Sequence, residues 1–238
     1  MHADDLLKNV PDAKVGIGKG NGKHNYDGAV VYDDPELLVK DLKEGKIDAA
    51  VRGDMSSSVL IPILKKEFGL EDIQRTVLLE PAGKELIFVA PVGIDEGWTV
   101  DQKYELVKRS TVLMKKLGMD ERIAVMSGGR NADIGRHDVV DGTIRDAEEL
   151  VSRLKKEGYD AYNSEILIED AVENADLLIA PDGISGNILF RALHFLGGAK
   201  ALGAPVLNMN KIFVDTSRAK TDYRDSIALA KRLAEVRK

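Results

Sequence analysis

Short apolar runs alternate with stretches of helical period along the whole chain. The runs that suit buried strands are KVGIG (14–18), GAVVYD (28–33), IDAAVRG (47–53), TVLLE (76–80), ELIFVAPVG (85–93), RIAVMSGG (122–129), ADLLIAPDG (175–183) and APVLNM (204–209). Between them PELLVKDLKEG, VLIPILKKEFG, VDQKYELVKRSTVLMKKLG, IRDAEELVSRLKKEG, EILIEDAVENA, NILFRALHFLGGAKALG and the terminal RDSIALAKRLAEVRK carry apolar residues at helical spacing. Alternation of this kind predicts an α/β protein of βαβ units with a largely parallel sheet. Strands that are apolar on both sides predict helices on both faces. In such folds ligands gather at the carboxyl ends of strands, so chemistry is sought just after each apolar run.

Composition narrows the partners. The 238 residues, 44% of them hydrophobic, can bury a sizeable core as one large domain or two smaller lobes. Forty acidic against 34 basic residues give a formal charge of −6 with no block of one sign, which argues against nucleic acid and anionic membrane. No apolar run is long enough to span a bilayer, and MHADDLLKNV carries acids where a signal peptide carries bases. The expected location is cytoplasmic. With no cysteine, and no ligand spacing among His2, His24, His137 and His194, no metal site is expected.

Four places stand out. VGIGKGNGKH has glycines at 16, 18, 20 and 22, and fails both the dinucleotide fingerprint and the P-loop pattern, so a turn after a strand is the plainer reading of residues 16 to 23. In VRGDMSSSVLIPIL, Arg52 with Ser56, Ser57 and Ser58 stands between strand and helix, where either an anion or a serine cap would satisfy the helix N-terminus. In MSGGRNADIGRHD, Ser127, Gly128 and Gly129 let backbone approach a ligand that Arg130 and Arg136 would pair, unless Asp133 and Asp138 take those arginines. Finally, ADLLIAPDGISGNILFR puts Asp182, Gly183, Gly186 and Asn187 at a tight joint, with Ser185 or Asn187 opening a helix that carries Arg191. That joint reads as a cradle for an anion or polar ligand.

These residues resemble the phosphate acetyl/butyryltransferases, whose corresponding segment runs A-(D/N)-(V/L)-L-(I/V)-x-P-D-x-x-x-G-N-I-x-(Y/F)-K, with Arg191 here in place of lysine. KIFVDTSRAKTDYRDSIALA is similar to the family's K-P-V-N-D-L-S-R-G segment at Lys211, Asp215, Ser217 and Arg218, with Ala219 replacing its glycine. IDAAVRGDMSSSVLIPIL, KLGMDERIAVMSGG and EDAV match three further family segments in order. The shorter chain, Ala219 and Arg52 resemble a divergent branch of methanogenic archaea, the methyltransferase-associated mtx subunit X branch, also called a methanogenesis marker.

The resemblance implies an isocitrate/isopropylmalate dehydrogenase-like fold of two α/β lobes, 1–84 plus 204–238 and 85–203, with Asn187 and Ser217 facing one interlobe cleft. It implies either a transferase acting on an acyl phosphate, acyl thioester or related activated group, or a non-catalytic methyltransferase-associated subunit that binds an anionic effector. For the transferase, Ser217 and Arg218 would stabilise developing charge and Asp225 would take a proton, with Asp222 as its rival. Arg52, Ser56, Ser57, Ser127, Arg130, Asp182, Gly186, Asn187 and Arg191 would hold the substrate. The same resemblance implies no tightly bound cofactor, coenzyme A or another thiol as co-substrate, a homodimer, and methyltransferase subunits as partners.

Overall fold

The computed structural model describes residues 1–22 and 24–237. Lys23, which ends the glycine-rich stretch, and Lys238, which ends the last helical stretch, lie outside the described residues. In chain order the elements are α1 (Ala3–Leu7), β1 (Val15–Gly18), β2 (Val30–Tyr32), α2 (Pro35–Glu44), β3 (Ala49–Val51), α3 (Ser57–Phe68), β4 (Val77–Glu80), β5 (Ile87–Ala90), α4 (Val100–Lys116), β6 (Ile123–Met126), α5 (Asp138–Lys156), β7 (Ala161–Glu165), α6 (Ile168–Asn174), β8 (Leu177–Ile179), α7 (Gly183–Arg191), β9 (Lys200–Pro205), β10 (Ile212–Asp215) and α8 (Arg224–Val236). The chain folds as two compact α/β units. One, called the outer unit because it is built from the two outer parts of the sequence, holds Ala3–Ile73 and the segment from Leu202 onward; the other, called the central unit because it is built from the middle of the sequence, holds Met1–His2 and Gln74–Ala201.

In the outer unit the strands run in the order β2, β1, β3, β10, β9. The first four are mutually parallel, and β9 runs antiparallel to β10. Every residue of β1, β3 and β10 is buried, as expected of strands covered on both faces. Helix α2 starts cleanly because Asp34 accepts the N–H of Glu36 and Pro35 fits the first turn, and it stops at Gly45, whose φ is 74°. Its Leu38, Val39 and Leu42 pack with Leu60 and Leu64 of α3 and Phe213 of β10. Each such side chain contributes about 1.5–3 kcal/mol by leaving water.

In the central unit the order is β4, β5, β8, β6, β7, with β4 antiparallel to β5 and the rest parallel. Residues 74 to 84 belong to this unit because β4 hydrogen-bonds to β5. The divisions thus fall at 73/74 and 201/202 rather than at 84/85 and 203/204. Helix α5 buries Ile144, Ala147, Leu150, Val151 and Leu154, a stripe of three- and four-residue spacing.

Four segments differ from the periodicity reading. The stretch NILFRALHFLGGAKALG is helical only to Arg191, continues as a π-helical turn over Ala192–Leu196, and gives way to β9 at Lys200. Gly197 and Gly198, the latter at φ 71°, break it. EILIEDAVENA yields only α6, because Glu165 sits at φ 55° and turns the chain away from β7. Strands β7 and β10 were not among the predicted runs. The first is polar and sits at the sheet edge; the second is four residues long and hides next to a polar loop. No described helix is long and apolar enough to cross a membrane.

Candidate functional site

Three loops of the outer unit leave the carboxyl ends of β1, β3 and β10. Arg52, just past β3, is buried; its Nε donates to the Asp215 carboxylate at the end of β10, and its Nη1 donates to the Met55 carbonyl at 2.7 Å. The neighbouring Thr216 donates its N–H to Asp215 at 2.8 Å and its hydroxyl to the Gly53 carbonyl at 2.8 Å. The guanidinium expected to meet a phosphate is therefore engaged by a protein carboxylate and fastens β3 to β10. Ser56 precedes α3 but does not cap it; its hydroxyl pairs with that of Ser58 at 2.8 Å, and Ser57 opens the helix.

The glycine-rich loop closes on Asp54. Gly20 and Gly22 donate their N–H groups to its carboxylate at 2.8 and 2.9 Å, the Tyr26 hydroxyl donates at 2.6 Å, and His24 Nε2 lies 3.6 Å away. Burial works to raise the Asp54 pKa, but these hydrogen bonds outweigh it and hold the carboxyl below its ordinary value. Burial, together with the neighbouring Asp54 charge, pushes the Tyr26 and Tyr223 hydroxyls well up. This carboxylate nest is what the glycines at 20 and 22 serve. The sequence signal was an acid in the loop after β3, and nothing local tied it to those glycines.

Past β10, Ser217 is half-buried and Arg218 is exposed. The Ser217 carbonyl accepts the Tyr223 hydroxyl at 3.3 Å and the Lys220 N–H at 3.1 Å, and the Ser217 hydroxyl accepts the Ala219 N–H at 3.3 Å. Among the described residues, no carboxylate lies within ion-pair distance of Arg218. Asp222 accepts the Arg224 N–H at 3.0 Å and its Nε at 2.8 Å, which holds its carboxyl below the ordinary value. Asp225 stands half-buried in the first turn of α8.

In the central unit, Ser127 is buried at the end of β6 and its hydroxyl donates to the Gly129 carbonyl at 2.8 Å. Gly128 donates to Thr143 Oγ1 at 2.8 Å, and the Arg130 N–H donates to Asp133 at 2.8 Å. Asp133 also pairs with Arg136, while the Arg130 side chain is exposed. At the joint after β8, the helix starts two residues earlier than the reading from Ser185. Asp182 is the cap, accepting the Ser185 N–H at 2.8 Å and its hydroxyl at 3.1 Å.

The glycines there admit protein, not open space. An ideal Cβ on Gly186 would sit 1.9 Å from the Pro91 carbonyl oxygen, and one on Gly183 would sit 1.7 Å from that of Gly93. Asn187 Nδ2 donates to the Val92 carbonyl at 2.8 Å, so the first turns of α7 are fastened to the loop after β5. Lys103, buried on α4, donates to the Pro181 carbonyl at 3.1 Å and to Asp146 at 2.9 Å, a contact the residue pattern did not announce. Arg191 is exposed, its guanidinium carbon 5.1 Å from the centre of the Phe195 ring. No group of three metal-ligating side chains occurs among the described residues.

Two α/β units, each with polar loops at the carboxyl ends of mainly parallel strands, define a protein of the phosphotransacylase and isopropylmalate dehydrogenase-like fold class. A branched-chain phosphotransacylase from Enterococcus faecalis superposes with a TM-score of 0.67 at 16% identity, over 98% of this chain and 93% of that one. A 4-hydroxythreonine-4-phosphate dehydrogenase from Klebsiella pneumoniae gives 0.59 at 14% identity, over 96% and 83%. By sequence, the "Putative methyltransferase mtx subunit X" of Methanosarcina mazei is 42% identical over 207 residues, 87% of this chain and 74% of that protein. The chain belongs to the mtx subunit X family. A phosphate acetyltransferase of Nitratidesulfovibrio vulgaris is 24% identical over 216 residues, 82% of this chain and 30% of that protein. No family model matches the chain.

Proposed function

We propose that the protein binds a small phosphate- or thioester-bearing molecule at the Ser217–Arg218 loop and transfers its activated group to a thiol such as coenzyme A. The observation that carries this reading is Arg218, an exposed guanidinium without a carboxylate partner among the described residues, on a loop whose ends are held by Thr216 and Tyr223. In a protein of net charge −6, a free arginine at the carboxyl end of a buried strand is where an anion is recruited. With an acyl phosphate, the thiol proton passes to Asp225, a sulfur–carbon bond forms, and the carbon–oxygen bond to phosphate breaks. Ser217 donates to the developing oxyanion and Arg218 pairs with the departing phosphate. In the central unit, Arg130 after β6 and Arg191 at the end of α7 are exposed cations, proposed to hold an anion there.

The proposed acceptor belongs to methanogen one-carbon metabolism, the proposed partners are methyltransferase subunits, and the proposed working assembly is a homodimer; the relatives' name, methyltransferase mtx subunit X, supports the choice of partner. Calorimetry with acetyl phosphate, inorganic phosphate, coenzyme A and coenzyme M, followed by an assay of thioester formation, tests the proposal. Arg218→Ala is expected to weaken acetyl phosphate binding by roughly 10–100-fold, the equivalent of a lost hydrogen bond to a charged group, and unchanged binding in that variant overturns it.

A second reading, an effector-binding subunit without turnover, draws on the carboxylates around Ser217. Asp215 is held by Arg52 and Asp222 by Arg224, and neither is at liberty to take a proton. Tight anion binding with no thioester formed, together with copurification of a methyltransferase, would favour it.

A further inference from the structure

Beneath the exposed Arg218 lies a chain of contacts that begins in the glycine-rich loop. Asp54 gathers the N–H groups of Gly20 and Gly22 and the Tyr26 hydroxyl. The Tyr26 ring stacks on Tyr223, with centroids 5.9 Å apart and planes 6° from parallel. Tyr223 is wholly buried, and its hydroxyl reaches the Ser217 carbonyl. Asn25, beside Tyr26, forms a parallel bridge with Asp222 at the far end of the same turn, while Thr216 bonds to Gly53, the residue before Asp54. One end of the Ser217–Asp222 turn is thus moored to the residue before Asp54, and the other to the residue before Tyr26, which donates to Asp54.

We infer that Asp54, Tyr26 and Tyr223 are positioning residues that hold the Ser217–Arg218 turn ready for an anion, an inference that rests on the anion-binding reading of Arg218. The physical reason is entropic. An exposed turn of small and charged residues must be ordered when it binds, and ordering it in advance removes that cost from the binding step. The glycine loop itself is closed to an external phosphate, because Asp54 already takes its converging N–H groups. Its function is carried through the two tyrosine rings to the neighbouring turn.

The test uses the full chain with acetyl phosphate and inorganic phosphate as probes, measured by calorimetry, alongside hydrogen exchange of the amides from 216 to 222. Tyr223→Phe keeps the stacked ring and removes only the hydroxyl; its dissociation constant should rise roughly fivefold, the equivalent of one net hydrogen bond. Tyr26→Phe and Asp54→Asn should act in the same direction, with faster exchange across the turn. In an Arg218→Ala background Tyr223→Phe should have no further effect, a non-additivity that general loss of stability would not produce. If Arg218→Ala weakens binding while all three positioning variants bind and exchange as the parent does, the inference is overturned and the anion-binding reading survives. If Arg218→Ala binds normally, that reading fails and the inference fails with it; faster exchange would then report only a mechanical tie.

Discussion

Replacing Arg52 separates a structural from a ligand-binding account of the most buried cation in the outer unit. Arg52 and Asp215 are 6% and 7% exposed, and the guanidinium also donates to the Met55 carbonyl. Arg52→Met keeps much of the side-chain volume and takes the buried guanidinium away from the Asp215 carboxylate, which still accepts the Thr216 N–H. Removing one partner of a buried pair costs about 3–5 kcal/mol, most of it the desolvation of the charge left behind. At ~2–4 °C per kcal/mol for a chain of this length, the melting temperature should fall by roughly 6–20 °C. Urea unfolding followed by circular dichroism measures the loss directly, and Asp215→Leu combined with Arg52→Met should recover most of it, because an apolar pair buries no charge. A single variant within about 0.5 kcal/mol of the parent that has nonetheless lost phosphate binding would refute the structural account and restore Arg52 to the ligand.

Gly186→Ala places a methyl group against the Pro91 carbonyl and should destabilise by at least about 1–3 kcal/mol in thermal or urea melts. Asp182→Ala removes the α7 cap and should cost about 1 kcal/mol in the same melts, with no loss of a ligand contact if calorimetry is repeated. The lowered Asp54 pKa means its contribution to stability is present above the ordinary carboxylate range and is lost as pH falls through the folded-state value. Asp54→Asn should therefore flatten the acid limb of a stability-against-pH curve, and an unchanged slope would show that the nest does not couple to folding. Asp225→Asn should lower kcat by roughly 10²-fold if the carboxylate takes the thiol proton, with unaltered acetyl phosphate affinity.

Much of the architecture was legible from residue order. The runs at 14–18, 47–53, 76–80 and 122–129 each contain a strand, and the helices of α2, α3 and α4 end where their glycines or final basic turns predicted. The strand β10 was less visible, since four apolar-to-acidic residues carry too little periodicity. The helix after β8 was read too long because its apolar positions continue past the two glycines that stop it. The candidate residues after β6, β8 and β10, taken in each unit by itself, were legible in sequence motifs. Their partners were not: Asp215 for Arg52, Val92 for Asn187 and Asp54 for the glycine loop are distant along the chain.

Apolar periodicity, the punctuation by glycine and proline, and the motif around Ser217 and Asn187 therefore determined the α/β class, the approximate elements and the family from the sequence alone, because all are local or are matched in order along the chain. Which cations remain exposed was decided only in three dimensions. Arg52 and Arg218 look alike as residues beside a strand end, yet one is buried against Asp215 and the other stands in solvent. Charge pairing and desolvation depend on what the fold brings within a few ångströms, and no spacing along a chain encodes that directly.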